Sequence, residues 1–67
     1  MKILLKINNM NSEKDILAIK NSISKNEGIF ACQILRDTRE VEIVYDESFI
    51  NKETILEAIE NEGYDVV

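Results

Sequence analysis

Residues 26–45 run Asn26-Glu27-Gly28, then Ile29-Phe30-Ala31-Cys32-Gln33-Ile34-Leu35-Arg36, then Asp37-Thr38-Arg39-Glu40, then Val41-Glu42-Ile43-Val44-Tyr45. Two β-prone runs separated by a short polar segment read as an antiparallel hairpin, with Asp37-Thr38-Arg39 as its turn. Along the second run apolar and polar residues alternate except at Val44. Along the first, alternation groups Phe30, Cys32 and Ile34 on one side, predicted to face the core. Asn26-Glu27-Gly28 returns as Asn61-Glu62-Gly63, an echo at a period of 35 residues. In both places it closes a helical pattern and opens an extended one, as expected of two βαβ halves.

On the N-terminal side, residues 2–7 form a β-prone run ended by the turn signal Asn8-Asn9. Ser12 then stands as a helix N-cap with Asp15 three residues on, a capping-box arrangement, and Ile16, Ile19 and Ile23 recur on one face. Gly28 is expected to end this helix as a left-handed C′ residue. On the C-terminal side, Asn51 caps a second helix, Ile50 and Ile55 are spaced as a hydrophobic staple, and Ile55, Ala58 and Ile59 supply a buried stripe. Gly63 stops it, and residues 64–67 are a last short strand. The order β-α-β-β-α-β predicts an α+β, ferredoxin-like sandwich: a four-stranded antiparallel sheet with two helices on one face. Residues 1–67 are read as a single domain. The architecture serves many functions and decides none of them.

A chain of 67 residues buries only about 60% of its unfolded surface, so one compact core must hold it. Its longest apolar run near the N-terminus, Ile3-Leu4-Leu5, is far short of a membrane span or a signal-peptide core, so no membrane insertion is expected and the cytoplasm is the expected location. The net charge of −5 argues against nucleic acid as a partner. That charge is uneven: five lysines against three acids make residues 1–33 +2, whereas three basic residues against ten acids make residues 34–67 −7. Such a split suits docking on a charged protein. One cysteine and no histidine exclude a disulfide framework and an ordinary zinc site.

Several residues together resemble the heavy-metal-associated domain of copper chaperones, metal-transporting P-type ATPases and mercury-binding proteins. They are Met10 in the loop after strand one; Ile16, Ile19 and Ile23; Glu27-Gly28-Ile29; Val41 to Asp46; Ala58-Ile59-Glu60; and Gly63-Tyr64. The likeness spans essentially the whole chain. In that family two cysteines in a Met-x-Cys-x-x-Cys loop take a soft ion such as Cu(I) or Zn(II), because soft cations prefer thiolate sulfur and a helix N-terminus favours the thiolate. Here the two positions hold Ser12 and Asp15, and the glycine usual before the methionine is Asn9, which tolerates positive φ. The resemblance also implies that Met10 anchors the loop in the core and that Tyr64 lies beside it.

Ser12 and Asp15 suit a helix cap better than a metal pair, so no metal or cofactor is expected at the family's loop positions Met10, Ser12, Asp15 and Tyr64. Glu13 and Asp15 are too few oxygens for Mg²⁺ or Ca²⁺. Cys32 reads as a buried small hydrophobe. No nucleophile–base pair or phosphate-cradling loop is present, so no enzyme is expected. The resulting expectation is a degenerate, non-metallated protein-binding module of a metal-trafficking family. Its docking surface is Lys14, Lys20 and Lys25, and its partner is a metal-transporting ATPase domain or a second copy of itself. The alternative is a working Cu(I) or Zn(II) carrier with non-standard ligands, drawn from Cys32 or a second chain. Leu4, Leu35 and Val44, outward among Lys6, Gln33 and Glu42, form a second candidate surface on the open sheet face.

Overall fold

The computed structural model describes residues Met1–Val67. Its elements follow in the order β1 (Lys2–Lys6), α1 (Glu13–Ser24), β2 (Ile29–Leu35), β3 (Glu40–Tyr45) and α2 (Lys52–Glu60). The three strands form an antiparallel sheet in the order β1-β3-β2. β3 is central because its alternation is the cleanest in the chain: Val41, Ile43 and Tyr45 are buried, and the residues between them are half-buried. Ile3 and Leu5 of β1 and Cys32 and Ile34 of β2 share that inner face with them. Against it pack Ile19 and Ile23 of α1 and Ile55 and Ile59 of α2, all fully buried, giving one core that also takes in Ile7, Met10 and Ile50. Each such side chain contributes about 1.5–3 kcal/mol relative to exposure, and these isoleucines are the main source of stability in so small a domain.

Three expectations need correction. The predicted fourth strand is reduced to one isolated bridge, Ile7 with Val66. The C-terminal segment is held there by the Asn8 N–H on the Asp65 carbonyl (2.9 Å) and the Val67 N–H on the Lys6 carbonyl (2.8 Å). Side-chain bonds replace the rest of the ladder: Asn9 accepts from the Asp65 N–H (2.8 Å) and donates to the Gly63 carbonyl (3.1 Å). Asn9 does this without adopting positive φ.

Phe30 is not in the core; it is 70% exposed. Ile29 lies opposite Tyr45 and Ala31 opposite Val44, so residue 30 is an extra residue in a β-bulge, and alternation breaks at that point.

Gly28 does not terminate α1. The helix ends at the C-cap Lys25, and the Asn26 side chain donates to the Ser22 and Ile23 carbonyls (3.1 and 3.3 Å). Gly28, at φ +90°, instead serves close approach: a Cβ there would lie 2.8 Å from the Phe49 Cβ and 3.2 Å from the Ile50 Cγ2. Gly63 does fill the left-handed role: at φ +89° its N–H donates to the Glu60 carbonyl (2.9 Å), and the Tyr64 N–H reaches the Ile59 carbonyl (3.4 Å).

Candidate functional site: the loop between strand one and helix one

Residues 8–15 carry the chain from the end of β1 across the top of the core into α1. Met10 anchors this loop, buried to 3% exposure among the core side chains. Ser12 is the N-cap, with extended backbone at φ −127° and ψ 166°. Its Oγ accepts from the Asp15 N–H (3.2 Å), and Asp15 Oδ2 accepts from the N–H groups of Ser12 (3.1 Å) and Asn11 (3.0 Å). This is a complete capping box closed by a carboxylate, and it satisfies donors that the helix start would otherwise leave orphaned. Asp15 also gains from the positive end of the helix dipole.

The second carboxylate oxygen is engaged as well. The Tyr64 hydroxyl donates to Asp15 Oδ1 at 2.6 Å, joining residues 49 positions apart. That bond, followed by the Asn11 and Ser12 donors, holds the Asp15 carboxyl down at about 2. The same contact pushes the Tyr64 phenol up to about 12, because ionisation would leave two negative oxygens facing each other. Asp15 is therefore a carboxylate with both oxygens committed, and Tyr64 a neutral donor that shuts the loop against the C-terminal segment.

A soft monovalent ion needs converging sulfur donors, and this loop offers a hydroxyl and an already bonded carboxylate. Cys32 is not among them: it sits in the middle of β2 opposite Ile43, packed against the core. Burial pushes its thiol up, offset in part by nearby Lys20. Nowhere do three His, Cys, Asp or Glu side chains gather. The residues present do not fit the metal of the resemblance. Of the residues singled out from the sequence, the structure brings Met10, Ser12, Asp15 and Tyr64 together at one end of the core. Lys14, Lys20 and Lys25 are exposed along α1. Asn9 and Asn11 belong to the same network and were not singled out as its hydrogen-bonding members; the doubled turn signal Asn8-Asn9 was the one hint. No helix is long and apolar enough to cross a membrane.

The same fold recurs among known proteins. A copper chaperone, CopZ, of Staphylococcus epidermidis is 30% identical over 63 residues, covering 94% of this chain and 93% of the relative. A solved CopZ metallochaperone superposes with a TM-score of 0.95 at 24% identity over the whole of both chains. A copper-binding domain from a P-type ATPase superposes at 0.91 with 20% identity, covering 98% of this chain and 89% of that one. These two structural likenesses establish the shared fold. The family model of the heavy-metal-associated domain matches residues 4–65, nearly the entire chain. With its βαββα core, its buried Met10 and the loop that Met10 anchors, the chain belongs to the heavy-metal-associated domain family.

Proposed function

We propose that this domain is a non-enzymatic protein-binding module of the metal-trafficking family, one whose loop has exchanged metal capture for a structural cap. The observation that carries this reading is the full engagement of Asp15: Oδ2 takes two backbone N–H groups and Oδ1 takes the Tyr64 hydroxyl. An ion would have to compete with these three donors for a hard oxygen ligand that soft cations do not prefer. The surviving functional surface is then α1, where exposed Lys14 stands beside the loop, Lys20 lies further along the helix and Lys25 caps its far end. An acidic protein domain is the complementary partner, and a domain of a metal-transporting ATPase is the candidate of that chemistry, in the cytoplasm.

Two substitutions test the loop. Ser12→Cys combined with Asp15→Cys places two thiols at the helix start and should create tight Cu(I) binding in a folded protein. A folded double variant that still ignores Cu(I) would refute the claim that only the ligands were exchanged. For the surface, reversing Lys14, Lys20 and Lys25 to glutamate should abolish capture of an acidic ATPase domain in a pull-down. Unchanged capture would reject the docking face.

A further inference from the structure

We draw no further inference here: the strongest candidate, the apolar surface that Met1, Phe30 and Phe49 expose at the end of the sheet away from the loop, is an unpartnered face, and nothing in the structure shows what covers it, since both signs of charge flank it in the chain (Lys25 and Glu27, Glu47 and Lys52) and select neither a second copy nor a charged partner.

Discussion

Replacing Ser12 by alanine isolates the cap from everything else in the loop. The substitution deletes one hydrogen bond, from the Asp15 N–H to Ser12 Oγ at 3.2 Å. The backbone N–H groups of Asn11 and Ser12 still reach Asp15 Oδ2, and Tyr64 still reaches Oδ1, so half of the box survives. The side chain is exposed, so no cavity term is added. The loss should therefore be that of an N-cap, about 1 kcal/mol. For a domain of this size that is a fall in Tm of roughly 4–8 °C. In urea, with a slope of about 1 kcal/mol per molar, it is a fall in midpoint of about 1 M at unchanged slope. Ser12→Asn should restore most of the loss, since asparagine caps as well as serine. Stability unchanged by alanine, or lost equally with asparagine, would refute the assignment of Ser12 as a cap.

Four further outcomes follow, three from the loop contacts and one from the glycines. Because the Asp15 carboxyl is held at about 2, its contribution to stability should be complete above the ordinary carboxylate range and fall away as pH drops from about 4 toward 2. Tyr64→Phe, which removes the largest cause of that depression, should shift a carboxyl-carbon NMR titration of Asp15 upward; an unmoved titration would dismiss the Tyr64 contact. At the alkaline end the Tyr64 phenol, raised to about 12, should retain its bond below pH 10 and lose it as pH climbs toward 12, read as a delayed tyrosinate absorbance. Gly28→Ala meets Phe49 at 2.8 Å with φ at +90° and should cost at least about 2 kcal/mol, whereas Gly63→Ala, with nothing within 4 Å, should cost only the left-handed strain of about 1–2 kcal/mol. Equal urea midpoints for the two alanine variants would show that the approach of Phe49 to Gly28 carries no weight.

The parts of this molecule legible in its sequence are those governed by local chemistry. Ser12 and Asp15 lie one helical turn apart, and serine with an acid at that spacing has one low-energy arrangement at a helix start. The same holds for Asn51, whose side chain accepts from the Thr54 N–H, and for the unbroken alternation of Val41, Ile43 and Tyr45. What alternation could not carry was the bulge: a single extra residue between Ile29 and Ala31 turns Phe30 out of the core, and nothing in the composition of β2 announces it. Gly28 was misassigned because its reason is tertiary, the approach of Phe49 and Ile50 from the connection between β3 and α2. The last strand shrank because Asn9 supplies through its side chain the bonds a ladder would have made to Gly63 and Asp65. Tyr64 was placed near the loop by resemblance, but its bond to Asp15 joins residues 49 apart, and it is this bond that turns a helix cap into a closed loop.

The central claim is that Ser12 and Asp15 hold the loop and not an ion. An amide NMR titration of the reduced protein with Cu(I), then Zn(II), against a competing chelator tests it most directly. The account predicts a spectrum that stays unchanged until metal is in gross excess, with the Asn11, Ser12 and Asp15 amides still in their hydrogen-bonded positions. Shifts at stoichiometric metal, concentrated at residues 10–15 and Tyr64, would contradict it and make this loop a metal site.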